Sequence, residues 1–196
     1  MFVIREASAS DLPSIYRIFL EGEIEEGATV PPISKIPMFL RHELQSGHIV
    51  VCEEDDEVIG FATAITRGEM MYLAELFVRS DRHSGEAGKL LLRHVLKGAD
   101  GICTLSSADP RAMVLYIRAG MRPLWPNLWL RQDVTTNSTP SHEGLGVVAE
   151  EAAANDPELI ARDDEASKRS RAVDHRYWAD TGAVPFWFTR NHKRIG

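Results

Sequence analysis

Nowhere in these 196 residues does an apolar run reach the ~18 positions that a membrane-spanning helix needs, so no membrane span is expected. Cysteine is nearly missing. Cys52 and Cys103 stand far apart in apolar strand-like runs, which excludes a disulfide framework and points to two buried free thiols. None of the seven histidines has the close spacing with carboxylates or cysteines that zinc requires, so no metal site is expected. Basic residues are outnumbered 29 to 22 and form no stripe, which argues against a nucleic-acid partner. A small-molecule or peptide amine suits the net charge of −7 better. The opening M-F-V-I-R-E-A reads as a strand with acidic residues close behind, not as a secretory leader, so a cytoplasmic setting is expected.

What is present is patterned. Phe2 to Arg5 reads as a strand, and Ser10 or Asp11 can cap a helix with Leu12, Ile15, Ile18 and Phe19 on its apolar face. A Glu-, Gly- and Pro-rich loop from Gly22 to Pro32 breaks that pattern, and a second helix through P-M-F-L-R-H-E-L stops at Gly47. H-I-V-V-C-E-E-D-D-E-V-I-G-F-A-T-A-I is a hairpin about an acidic turn, and M-M-Y-L-A-E-L-F-V is a third strand of its sheet. Beyond it come a helix carrying Leu90, Leu91, Val95 and Leu96, then a strand at G-I-C-T-L-S-S. A helix capped by Asp109-Pro110 and stopped at Gly120 follows, and L-W-L-R-Q-D closes the set as a strand. The order β-α-α-β-β-β-α-β-α-β predicts an α/β (α+β) sheet with helices on its faces.

Between the third strand and the next helix the chain reads D-R-H-S-G-E-A-G-K-L-L-L, from Asp81 to Leu92. Such a stripped turn either joins two elements tightly or lets bare backbone N–H groups approach an anion at a helix N-terminus. Two phosphate loops are excluded. The turn holds no G-x-G-x-x-G, and G-E-A-G-K-L lacks the glycine spacing and the hydroxyl residue of a P-loop.

Arg82-His83-Ser84-Gly85-Glu86-Ala87 resembles R/Q-x-x-G-x-G/A, the acyl-CoA pyrophosphate loop of GNAT-type N-acetyltransferases. Leu76-Phe77-Val78 is similar to that family's splayed fourth strand, and Ala112-x-x-Leu115-Tyr116-x-x-x-Gly120-Met121 resembles its A-x-x-L-Y-x-x-x-G-F. The resemblance covers residues 2–132 and implies the GNAT fold, a mixed central sheet flanked by helices. It further implies direct transfer of an acetyl group from acetyl-CoA to a primary amine, with no covalent enzyme intermediate. On this resemblance the backbone of His83, Ser84, Gly85, Glu86, Ala87 and Gly88 holds the pyrophosphate. Arg82 adds charge there, and Lys89 and Asp109 complete the cofactor side. Leu76, Phe77 and Val78 receive the pantetheine arm as an added strand, with the Val78 N–H placed to polarise the thioester carbonyl.

Tyr116 stands where the family has the acid that protonates the leaving thiolate; its other reading is a tyrosine packed on the helix's buried face. Glu75 is the candidate base, acting directly or through water; its other reading is a solvent-facing strand carboxylate. Ser80, Glu86 and Asp109 depart from the family pattern. Glu86 brings a negative charge close to a pyrophosphate, and so leaves open a non-catalytic acyl-CoA-binding or regulatory module as the alternative.

Residues 1–133 are thus expected to form the GNAT domain and 134–145 a polar linker, with 146–196 as a C-terminal extension. G-L-G-V-V-A-E-E-A-A-A-N-D-P-E-L-I-A-R-D-D-E-A-S-K-R-S-R reads as mostly helical and strongly charged. After it, Gly182 to Gly196 repeats the helix end, β run and polar turn found between Gly47 and Gly60. The tail resembles the opening of a second GNAT unit. Its open strand edge is expected to be covered by the first domain or by a second copy of the chain.

Overall fold

The computed structural model describes residues 1–24, 29–82, 86–107, 109–126 and 146–195. The chain forms two compact units, Met1–Pro123 and Leu124–Gly196. Two expected segments, the strand at L-W-L-R-Q-D and the linker at 134–145, lie outside the described residues.

The first unit is built on a five-stranded sheet of order β1-β2-β3-β4-β5: Val3–Glu6 (β1), His48–Glu54 (β2), Glu57–Arg67 (β3), Met70–Val78 (β4) and Gly101–Cys103 (β5). The first four strands are antiparallel neighbours and β5 is parallel to β4, so the sheet is mixed. Alternation explains the hairpin. Val51 and Phe61 pair across β2 and β3 and point into one layer, whereas Val50 and Ala62 point into the other. Asp55 and Asp56 make the turn at positive φ, a conformation that acidic and amide residues tolerate better than others.

Leu12–Glu23 (α1) and Met38–Ser46 (α2) cover one face, where Ile15, Ile18, Leu40, Val51 and Phe61 form a buried cluster. Glu86–Val95 (α3) covers the other, with Ala87, Leu91, Leu92 and Val95 against Val50, Ile59 and Leu73. Pro110–Arg118 (α4) adds Leu115 and Tyr116 to the edge of that second cluster. The entry to α1 is clamped to the sheet: Asp11 accepts from the Ser8 backbone N–H at 2.7 Å and takes two bonds from the Arg5 guanidinium at 2.8 and 2.9 Å. Cys52 is buried and Cys103 half-buried; both are free, and burial pushes the Cys52 thiol up to about 11.

The second unit holds Val147–Glu151 (β6), Pro157–Ser167 (α5), Ala172–Asp180 (α6), Phe186–Arg190 (β7) and Lys193–Arg194 (β8), with the strands antiparallel in the order β6-β7-β8. One expectation is corrected here. V-V-A-E-E is a strand and not helix, because five residues of β6 pair with β7 and tertiary pairing overrides the local helix preference of Ala and Glu. The hairpin near Gly182 to Gly196 is present, turning at Asn191 and His192, both at positive φ. Its strand, two helices and two strands follow the same order as β1-α1-α2-β2-β3. Trp187 anchors this unit: it is buried, donates its indole N–H to Asp156 at 2.9 Å, and has Arg194 over its ring at 4.5 Å.

Candidate active site

The geometry turns on β4. Its pairing with β5 ends at Tyr72↔Cys103, yet β4 runs on to Val78. Thr104 Oγ1 closes the vertex of the resulting gap by donating to the Leu73 carbonyl at 2.9 Å. On the other side β4 stays paired with β3, and the Arg79 N–H donates to the Ile59 carbonyl at 2.9 Å. That bond sets the phase of the ladder. Glu75 and Phe77 exchange bonds with β3, while Leu76 and Val78 turn their peptide groups toward the gap.

A bulge at Ala74 re-aims the strand. Thr63 pairs with Glu75 and Ala64 with Leu73, so Ala74 is the extra residue. Without it Leu73 and Leu76 would point to opposite faces. With it both enter the α3 cluster, and Tyr72 and Glu75 share the opposite face.

Glu75 is therefore directed under α1 and α2, not into solvent. It is half-buried, with its Oε2 shut from water, which removes the solvent-facing reading. There it meets Glu43 of α2, a residue only 6% exposed. Burial first, then the charge of Glu75 and contact with it, push the Glu43 carboxyl up to about 9; burial raises Glu75 to about 6. Thr63 lies close enough to ease the ionisation of both, although its hydroxyl makes no hydrogen bond of good geometry among the described residues. Tyr72, half-buried beside Glu75, is held above the ordinary tyrosine range by burial and then by that carboxylate.

Glu43 and Tyr72 were missed in the sequence. For Glu43 a signal existed: it lies three residues after the buried Leu40, on the inward stripe of a short helix. For Tyr72 none did, because its facing depends on the bulge.

Tyr116 packs against the α3 cluster, as do Leu76 and Val78 of β4. Its hydroxyl makes no hydrogen bond among the described residues, and burial, then Asp109 and Tyr72, hold it above its ordinary range. The ring is thus packed, as one reading had it, and the hydroxyl is close enough to Asp109 and Tyr72 to feel their charge.

The cofactor-side residues divide. His83, Ser84 and Gly85 lie outside the described residues. Glu86 begins α3 and is exposed, its carboxylate in the turn where a helix favours negative charge. Ala87 is fully buried, and Gly88 brings the helix close to Leu115 and Val78: a Cβ there would sit 3.7 Å from the one and 3.9 Å from the other. Lys89 is exposed. Arg82 is turned back to Glu54 at 3.2 Å, an exposed pair that costs little to open. Asp109 caps α4, accepting from the Arg111 N–H at 2.8 Å. Phe77 faces the α1 side, stacked on Phe61 at 5.7 Å between centroids.

A cavity of about 970 Å³ lies in the second unit, between α5, α6 and β7. None of the site residues above lines it, and on its wall Asp163 holds both Arg171 and His175. Among the described residues there is no group of three or more His, Cys, Asp or Glu that could hold a metal, and no helix is long and apolar enough to cross a membrane.

Residues 45–122 match the model of a family described as the acetyltransferase (GNAT) domain. Among solved structures, an acetyltransferase from Trypanosoma brucei is 17% identical with a TM-score of 0.52, over 67% of this chain and 100% of that one. Glucosamine-6-phosphate N-acetyltransferase from Arabidopsis thaliana is 16% identical with a TM-score of 0.51, over 68% and 99%. AAC(6')-Iy, in complex with the bisubstrate analogue CoA-S-monomethyl-acetylneamine, is 18% identical with a TM-score of 0.52, over 68% and 99%. At these identities the fold is what is shared. Among curated proteins, no sequence matches the chain.

Proposed function

We propose that the first unit, whose residues 45–122 match the acetyltransferase (GNAT) domain, is an N-acetyltransferase which passes an acetyl group from acetyl-CoA to a primary amine by direct attack. The observation that carries this is the departure of β4 from β5 after Tyr72, which turns the Leu76 peptide group toward a gap between the two strands. An amide-rich arm can add to such an edge as a short strand. The residues present fit the rest of the cofactor. The α3 N-terminus follows directly, Gly88 permits close approach, and Arg82 and Lys89 are exposed cations near it.

Acetyl-CoA, when bound, supplies the activated acyl carbon. Glu75 takes a proton from the incoming ammonium, a task suited to a carboxylate that ionises at about 6 and is still a base at neutral pH. Tyr116 gives a proton to the departing sulfur, for which a phenol kept protonated by burial is suited. Direct attack needs no nucleophile on the enzyme, and burial holds Cys52 as the neutral thiol. The second unit we read as the opening part of another copy of the same fold, supported by its matching element order.

Isothermal calorimetry of the full chain with acetyl-CoA tests the cofactor assignment. Saturable binding at one site is expected. A titration with no heat of binding, and no competition between CoA and acetyl-CoA, would remove the acyl-CoA reading altogether.

A further inference from the structure

Two carboxyl groups lie together beneath α2. Glu43 is more than nine-tenths buried, and Glu75 reaches it from β4 because of the Ala74 bulge. The Oε2 atoms of both, and Thr63 Oγ1 between the same elements, are shut from solvent with no hydrogen-bond partner among the described residues. A fully ionised pair cannot persist in such a place, since the second charge meets both lost hydration and the first charge. A fully protonated pair would leave no base.

Resting on the reading of Glu75 as the proton acceptor, we propose that Glu43 retains a proton which it donates to Glu75, so that the two carboxyls act as one base with Glu43 as its positioning residue.

The surroundings favour one shared proton. The other groups acting on the pair are Glu23 from α1, Tyr72 from β4 and the Thr63 hydroxyl from β3, and among the described residues none of them is a cation. The direction of each titration agrees: Glu43 stays protonated through neutrality, and contact with Glu43 works against the burial that raises Glu75. A neutral Glu43 acts there as a donor that steadies the Glu75 anion and fixes its orientation.

The proton balance closes. An ammonium R–NH3⁺ gives one proton to Glu75 and becomes R–NH2. The nitrogen–carbon bond forms as the carbon–sulfur bond breaks, and the sulfur receives its proton from Tyr116, which regains one from the amide-forming nitrogen. The proton on Glu75 then leaves to water.

Carboxyl NMR of the full chain labelled at glutamate side chains, run as a pH titration, tests the pair without needing turnover. One resonance should titrate at about 6 while a second stays protonated past neutrality. Glu75→Gln should abolish the first step and move the second down. In acetylation assays, Glu43→Gln should keep the acid limb of the rate profile near that of wild type, because its amide still donates. Glu43→Leu should move that limb up by about one pH unit. Two carboxyls titrating independently below about pH 5, their ordinary range, would overturn the proposal, as would a limb unmoved in Glu43→Leu. Should Glu43→Leu fail to fold, the NMR titrations of wild type and Glu75→Gln still decide. Should wild type acetylate no amine, the acetyltransferase reading falls, and the NMR titration still decides whether the proton is shared.

Discussion

Tyr116 carries two jobs in one side chain, and the phenylalanine variant separates them. Tyr116→Phe keeps the ring against the α3 cluster and removes only the hydroxyl. The turnover number should fall by about 10²–10⁴-fold while Tm and acetyl-CoA affinity hold, as expected for a lost proton donor. A variant that is fully active but less stable would make the hydroxyl structural. The carboxyls make a separate prediction in stability. Glu43 and Glu75 both ionise above their ordinary value of 4.5 in the folded chain, so the folded state holds protons that the unfolded chain has released. Their contribution is complete below pH 4.5 and is lost as pH rises through about 6 and then about 9. Asp11 works in the opposite sense: bound to Arg5 and held below its ordinary 3.8, it stabilises above that pH and loses its contribution as pH falls. Wild-type Tm should therefore decline toward alkaline pH, and Glu43→Gln should flatten the upper part of the decline by roughly 5 °C or more. Parallel melting curves for the two proteins would contradict the burial of an ionisable Glu43.

At the scale of elements, the strands were legible wherever alternation was clean. β2, β3 and β4 fall where the apolar-polar pattern puts them, and both ends of α4 were marked by Asp109, Pro110 and Gly120. Two features were not legible, for different reasons. V-V-A-E-E has the composition of a helix, and only its pairing with Phe186–Arg190 makes it a strand. The bulge at Ala74 leaves no trace in composition, yet it decides that Glu75 and Tyr72 share a face. Glu75 could be named as a candidate base, but its partner could not, because Glu43 meets it only through a contact between α2 and the sheet. On the side away from the gap, β4 is packed tightly against β3. A Cβ on Gly60 would come within 2.8 Å of the Phe77 carbonyl oxygen and 3.1 Å of Val78 Cγ2. Gly60→Ala must push β4 outward, which should cost about 1–3 kcal/mol and weaken acetyl-CoA binding, since Val78 borders the gap. Denaturant unfolding and calorimetry on the same variant check both. Unchanged affinity in a destabilised variant would detach the end of β4 from the cofactor site.

The whole molecule carries one described catalytic candidate and two compact units, and ligand-linked unfolding can tell the units apart. Acetyl-CoA should raise the melting transition of Met1–Pro123, in proportion to the logarithm of its free concentration, and leave that of Leu124–Gly196 where it is. Trp187→Ala removes the buried anchor of the second unit and its bond to Asp156. It should lower only the second transition, by about 3–5 kcal/mol, with acetyl-CoA affinity unchanged. Differential scanning calorimetry of wild type and variant, with and without ligand, reads all of this; a common shift of both transitions would show that the units unfold as one.

The acetyltransferase claim itself is met most directly by following free CoA thiol as the full chain is mixed with acetyl-CoA and a panel of primary amines. Thiol release should require both protein and a particular amine, should saturate in that amine, and should vanish in Glu75→Gln at neutral pH. Release no faster than in buffer with every amine, from protein that binds acetyl-CoA, would contradict catalysis and leave an acyl-CoA-binding module.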